Sequence, residues 1–339
     1  MVVLGKIFLV FFNNAYCIVR QFCCIIFKTK FYSHIHDVDA NSLGVFMLQV
    51  KKAVIPCAGF GTRFLPFTKA VPKELLPIVD TPALQFAVEE AVSAGIEEVL
   101  IIISPQKGSI KEYFGDSVVL SKYLLDHDKL DEYALVQSIS NICKVSYAVQ
   151  SVMKGSGDAI FYAEKFVGDE PFAVLFGDDV IYTGDGPSAT KQLVDAYNET
   201  GATILGVQQM PEEILRRCGV MIPVEKNGKL TRISGLIEKP QKEIPSNLCS
   251  LGRFILKNNI FEQLRETPNG IGGELFLTDA ISLLAKKEAV YCYEFDGHRY
   301  DLGNKQGFLE ATVEYALRNP ELGKKFKNYL NTLKDSGAF

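Results

Sequence analysis

A doubly wound α/β fold, its sheet mixed but mainly parallel, is what this sequence predicts, and three features predict it. Short apolar runs rich in β-branched residues alternate with helical stretches from Lys52 onward. The first run, "KAVIP", passes directly into a glycine turn, the strand–turn–helix order of a parallel sheet. A later run, "PFAVLFGDDVIY", places two acids at the end of a strand, the sheet edge at which ligands bind in such folds.

The elements follow in order. "KAVIP" is short, apolar and stopped by proline, as a central strand would be. "TPALQFAVEEAVSAG" reads as a helix capped by Thr81, with Pro82 in the first turn and Gly95 at its end. Leu84, Ala87, Val88, Ala91 and Val92 form its apolar face. "EEVLIIIS" is a buried strand, and "GATILGVQQM" and "CSLGRFIL" are further strands. "GVMIPVEKNGKLTRISGLIEKP" predicts a β-hairpin with Asn227-Gly228 at its turn. A helix is expected around Ile260–Glu266, another in "LTDAISLLAKKE" capped by Thr278, and a strand in "AVYCYEF". Two helices close the chain, over 305–318 and 320–333. The whole reads as one Rossmann-like unit over 49–318 with a hairpin insert, followed by a C-terminal helix and tail over 319–339.

Composition narrows the functional classes. The 339-residue chain is 47% hydrophobic and 22% charged, with a formal net charge of -4. A generally basic surface for nucleic acid is not supported, so any basic cluster is local. Only four histidines occur, none in a pair with metal-ligand spacing. Cys57, Cys143, Cys218, Cys249 and Cys292 stand singly in the body of the chain and read as reduced, buried residues of a cytoplasmic protein. Residues 1–48 are apolar but interrupted by Asn13, Asn14, Arg20 and Gln21. That falls short of the ~20 apolar residues a bilayer span needs, and no small-residue cleavage site follows. The segment is either membrane-associating or an extension, disordered or upstream of a true start at Met47; the second reading is preferred, and no membrane partner is expected.

The chemistry concentrates in "AGFGTRFLPFTKAVPKELLP". Gly59 and Gly61 let backbone N–H groups approach a ligand closely. Arg63 offers a planar fork to phosphate oxygens, and Lys73 a point charge. Pro66, Pro72 and Pro77 restrain the loop. These features suit a bound and bent triphosphate. A dinucleotide fingerprint fails because Phe64 replaces the third glycine, and no GKS or GKT closes a P-loop. In "FGDD", Asp178 and Asp179 are hard oxygen donors at a strand end, suited to Mg²⁺, or simply a polar turn. In "IEKP", adjacent strand residues face opposite ways, so Glu238 and Lys239 are not expected to pair, and Pro240 favours extended backbone at Lys239.

The loop string resembles the opening signature of sugar-nucleotide pyrophosphorylases. The resemblance continues through "KGSGDAI", "DEPFAVLFGDD", "IEKP", "PSNLCSLGRFIL", "GGELFLTDAI" and "RYDLGNKQGFLEATVEYALR". It spans about Lys51 to Arg318 and, within that superfamily, is greatest to the bacterial enzymes that join UTP to glucose 1-phosphate. It implies the nucleotide-diphospho-sugar transferase fold and Mg²⁺. It implies catalytic roles for Arg63, Lys73, Asp178 and Lys239, and a nucleotide site of Ala58, Gly59, Gly61, Thr62, Glu74, Gln150 and Gly155. It implies a sugar-phosphate site of Gly219, Glu238, Lys239, Gly252 and Glu274, with Asp178 and Asp301 as metal ligands. Glu274 is equally readable as a structural acid. Asp158 stands where this family often has histidine, and Phe276 where glutamine is common. The family assembles as dimers or tetramers, with the C-terminal helices the plausible contact. A thymidylyltransferase, a nicotinamide-dependent dehydrogenase and a non-catalytic nucleotide sensor are the competing readings.

Overall fold

The computed structural model describes residues 49–337, and the expectations made for residues 1–48 lie outside the described residues. No helix among the described residues is long and apolar enough to cross a membrane.

The strands are β1 (Lys52–Pro56), β2 (Pro77–Ile78), β3 (Thr81–Pro82), β4 (Glu98–Ile103), β5 (Lys144–Val149), β6 (Phe172–Leu175) and β7 (Asp179–Tyr182). They continue as β8 (Thr203–Gln209), β9 (Gly219–Asn227), β10 (Leu230–Glu238), β11 (Leu248–Leu256), β12 (Val290–Glu294) and β13 (His298–Asp301). Nine of them form one sheet in the order β5-β4-β1-β6-β11-β8-β12-β10-β9. β1 pairs in parallel with β4 and β6, β4 with β5, and β8 with β12. β11 runs antiparallel to both β6 and β8, and β9 and β10 add an antiparallel hairpin. The expected mixed sheet is present, with antiparallel pairing taking a larger share than the sequence suggested. Parallel strands need crossovers, and helices supply them on both faces. Ile55, Leu84, Val88 and Leu193 are buried on one face, and Val54, Ile160, Phe172, Phe261 and Leu284 on the other. Alternate residues of one strand thus enter opposite cores, as a doubly covered sheet requires.

Four local expectations are corrected. The helix α1 (Ala83–Ser93) starts after Pro82, and Thr81 pairs in β3 rather than capping it. The helix α2 (Leu277–Lys287) has Phe276 at its N-cap position with no side-chain cap, which places Thr278 inside the first turn. Cys218 and Cys249 form a disulfide, while Cys57, Cys143 and Cys292 are free. The bridge follows from β-pairing, because Cys249 lies opposite Val220 and so beside Cys218. The expected hairpin is present, but its turn lies one residue further on: Asn227 pairs with Leu230, and Gly228, at φ 60°, and Lys229 make the turn. The last two helices span Lys305–Arg318 and Gly323–Asp335.

β1 is the switch point. The chain leaves it towards β4 and β5 on one side and returns beside it as β6 on the other. The crevice beyond the C-terminal ends of β1 and β6 therefore receives both the glycine loop and the acidic pair.

Candidate active site

Beyond Pro56 the chain folds into three single-turn 3-10 helices, Thr62–Phe64, Phe67–Lys69 and Lys73–Leu75. Gly61 precedes the first at φ 68°, and a Cβ there would stand 3.0 Å from the Lys73 Cβ. Only glycine lets the loop fold back onto the lysine stem without strain. Lys73 Nζ consequently meets Asp178 Oδ2 at hydrogen-bonding range. Burial opposes both charges, but each stabilises the other. The Asp178 carboxyl is held below its ordinary value and the Lys73 ammonium above its own.

Asp178 lies between β6 and β7, where the chain breaks away from the main sheet. The break is held by Phe176 N donating to Gly252 O at 2.9 Å and Leu302 N donating to Asp178 O at 2.9 Å. β7 then pairs antiparallel with β13, setting Asp179 opposite Asp301. Asp301 accepts from Gly303 N at 2.9 Å. A Cβ on Gly303 would be 2.9 Å from Asp178 Oδ2, 2.9 Å from Asp301 Oδ1 and 3.3 Å from Arg63 Nη1. Two carboxylates thus converge on a gap that glycine keeps open, and a lysine ammonium already neutralises one of them. The hard oxygen donors and the gap fit a small divalent cation such as Mg²⁺.

A deeper network fixes this strand end. Arg253, 1% exposed, makes a bidentate pair with Glu90 on α1 at 3.0 and 2.8 Å. It also donates to Phe176 O at 3.2 Å and Asp179 O at 2.8 Å. Arg299 Nε donates to Asp179 Oδ1 at 2.7 Å, although burial pushes the Asp179 carboxyl up to about 6. Asp179 is therefore a positioning group for Asp178. Sequence reading missed Arg253 and Arg299, whose partners lie far away along the chain.

Two adjoining cavities open here. One, of about 550 Å³, is lined by Arg63, Asp178, Gly219, Glu238, Gly252 and Asp301, and also by Arg217, Thr278 and Arg299. The other, of about 350 Å³, is lined by Ala58, Gly59, Lys73, Gln150, Gly155 and Glu274. Ser156, Phe176 and Asp178 are common to both. Gln150 is buried, and its amide donates to Asp158 Oδ2 at 2.6 Å, so the acid found in place of histidine orients it. Gly155, at φ 103°, lies against the Leu275 backbone and the Glu274 Cβ. Leu275 N donates to Lys154 O at 2.7 Å and Gly157 N to Leu275 O at 2.9 Å, which ties this loop to the segment carrying Glu274.

Three candidates lie elsewhere than expected. Glu74 is 1% exposed and accepts from Lys107 Nζ at 2.6 Å, supporting the loop from beneath. Thr62 lines a separate hollow beside Phe60 and Leu65. Lys239 has φ 47°, not extended backbone, and so its ammonium turns back to 3.6 Å from Glu238 Oε1 and 5.4 Å from the centre of the Phe276 ring. It lines a third cavity with Glu274 and Phe276 rather than the one containing Asp178. The left-handed conformation cancels the alternation that made an Glu238–Lys239 pair unexpected.

Gly252 gives a sharp test of this geometry. At φ 67°, a Cβ would fall 2.5 Å from Asp179 Oδ2 and 3.0 Å from the Phe176 Cβ. Gly252→Ala is expected to cost about 2–4 kcal/mol, combining left-handed strain with overpacking. Thermal denaturation checks the stability loss, and turnover should fall with it because the collision displaces the carboxylate network.

The profile of the family described as nucleotidyl transferase matches residues 52–318. The chain is 45% identical over 288 residues to a UTP–glucose-1-phosphate uridylyltransferase of Staphylococcus epidermidis, covering 85% of this chain and 99% of that protein. It is 44% identical over 289 residues to UTP–glucose-1-phosphate uridylyltransferase 2 of Staphylococcus saprophyticus, covering 85% and 99%. Among solved structures, a UDP-glucose pyrophosphorylase complexed with UDP-glucose has a TM-score of 0.73 at 39% identity, covering 80% of this chain and 100% of that one. A UTP-bound enzyme of the same kind from Acinetobacter baumannii has a TM-score of 0.77 at 34% identity, covering 84% and 100%.

Proposed function

The chain belongs to the nucleotidyl transferase family, and from that membership we propose that it transfers a uridylyl group from UTP to glucose 1-phosphate, giving UDP-glucose and pyrophosphate. The observation that carries this reading is the convergence of the glycine loop, Lys73 and Asp178 on two adjoining cavities, one for each substrate. We assign the activity to residues 49–318.

An oxygen of the sugar phosphate attacks the α-phosphorus of UTP, forming a new P–O bond. The bond from that phosphorus to the β-bridging oxygen breaks, and its electron pair leaves with pyrophosphate. The nucleophile is already an anion, so no general base is required. The task is to align two polyanions that repel each other and neutralise charge as it develops. Ala58, Gly59, Gln150 and Gly155 receive the nucleoside, with the Gln150 amide at the edge of uracil. Gly61, Arg63 and Lys73 hold the departing phosphates. Gly219, Glu238 and Gly252 border the sugar, and Arg217, in the same cavity as Asp178, offers its phosphate a cation, while Lys239 reaches that phosphate only by turning from the adjoining cavity it lines with Glu274. Asp178 and Asp301 would hold Mg²⁺, which supplies charge neutralisation and a template for the phosphate oxygens.

The competing thymidylyl reading draws only on fold. A glucose-1-phosphate thymidylyltransferase structure from Bacillus anthracis has a TM-score of 0.61 at 22% identity. Association of copies through the C-terminal helices is supported by Leu309, Val313 and Leu317, which recur at helical spacing and are all exposed. Nucleotide preference tests the function. With glucose 1-phosphate fixed, UTP should be used at least about tenfold better than CTP or ATP, whose base edges offer Gln150 different donors and acceptors, and better than dTTP, which carries the extra C5-methyl of thymine and lacks the ribose 2′-hydroxyl. Equal use of dTTP would move the chain to thymidylyl transfer.

A further inference from the structure

One side chain from outside the glycine loop ties the two ends of that loop together. Lys107 follows β4, directly before the short helix Gly108–Phe114, and is 6% exposed. Its ammonium donates to Cys57 O at 2.6 Å and to Glu74 Oε2 at 2.6 Å. Cys57 is where the chain leaves β1, and Glu74 is the neighbour of Lys73, so one buried cation joins the start of the loop to its end. The link is anchored to β4 twice over. Cys57 N donates to Ile102 O at 2.7 Å, and Lys107 N donates to Ser104 O at 3.0 Å. Burial raises the Glu74 carboxyl above its ordinary value, and Lys107 and Lys73 oppose that rise. Within the single 3-10 turn Lys73–Leu75, Glu74 reaches towards Lys107 while Lys73 reaches towards Asp178. Lys107 lines neither substrate cavity, only the separate hollow beside Phe60 and Leu65.

We propose that Lys107 is a positioning residue for the nucleotide phosphates: by tying Cys57 to Glu74 it fixes the backbone N–H groups of Ala58 and Gly59 relative to the Lys73 ammonium before UTP arrives. This rests on the assignment of the glycine loop and Lys73 to UTP. Backbone donors and an ammonium act together on a polyphosphate only when their spacing is already set, and a loop free to open would spend binding energy on closing. Gly61 sharpens the need. At φ 68° it lets the loop fold onto the Lys73 stem but brings no side chain to hold it there. The Lys73–Asp178 contact cannot serve alone, because both groups are also claimed by the phosphates and the cation. The bonds of Lys107 lie beneath the loop, out of reach of either.

The test uses the full chain, with UTP binding followed by calorimetry and turnover by pyrophosphate release. Lys107→Met removes both bonds and strands the Glu74 carboxylate, so its melting temperature should fall by several degrees. The double variant Lys107→Met/Glu74→Gln leaves no stranded charge and should recover most of that loss. In both variants kcat/KM for UTP should nevertheless stay about a hundredfold below wild type, the order expected when aligned groups shift by ~1 Å. The Kd for UTP should rise at least about tenfold in both, while KM for glucose 1-phosphate at saturating UTP should stay within about twofold of wild type. Recovery of activity together with stability in the double variant, wild-type UTP affinity in Lys107→Met, or a matching rise in KM for both substrates would overturn the inference while leaving uridylyl transfer standing. A folded wild type that binds no UTP would overturn the functional reading, and the inference with it.

Discussion

Asp178→Asn is expected to reduce turnover by about a thousandfold or more while leaving a folded protein. The substitution keeps the shape and removes the charge. In the wild type Lys73, Asp301 and Arg63 surround that charge. Asparagine still accepts a hydrogen bond from Lys73, so the stability change should stay within about 1–2 kcal/mol. What it cannot do is bind a divalent cation as a carboxylate does. Losing several kcal/mol of electrostatic stabilisation at a reacting phosphorus corresponds to factors of about 10³ in rate. Steady-state pyrophosphate release, with circular dichroism to confirm folding, checks it. A folded variant with near-normal rate would remove Asp178 from the chemistry.

Arg253 should give the largest loss of stability. Its guanidinium is 1% exposed, and it is bonded to Glu90 and to the carbonyls of Phe176 and Asp179. Removing one partner of a buried ion pair leaves the other uncompensated and typically costs about 3–5 kcal/mol. Arg253→Met should therefore lower the melting temperature by roughly 10 °C, and Glu90→Met by a similar amount. The double variant should cost clearly less than the two losses combined, because no charge remains stranded. Additive losses in this cycle would show that the pair does not act as a unit. Activity should also fall in each single variant, because Arg253 holds both carbonyls that flank the Asp178 turn.

Much of this architecture was readable in local chemistry. Glycine followed by Arg63 and Lys73 marked an anion-holding loop, two acids at a strand end marked the facing wall, and Asn227-Gly228 marked the hairpin. Each signal is encoded within a few residues. What escaped depends on long-range pairing or on single backbone angles. β11 enters between β6 and β8 antiparallel, which no periodicity announces. The Cys218–Cys249 bridge exists because β9 and β11 meet. Lys239 faces its own neighbour because its φ is 47°, and Thr278 is no cap because α2 begins at Leu277. Glu74 reads as a ligand in the loop string, but Lys107, on the segment after β4, pulls it beneath.

The most direct measurement is product analysis with purified protein, UTP, glucose 1-phosphate and Mg²⁺. UDP-glucose and pyrophosphate should appear in equal amounts, and neither should form when the sugar phosphate is omitted. Release of pyrophosphate or phosphate from UTP alone, or no product from a folded protein, would contradict direct uridylyl transfer between the two cavities.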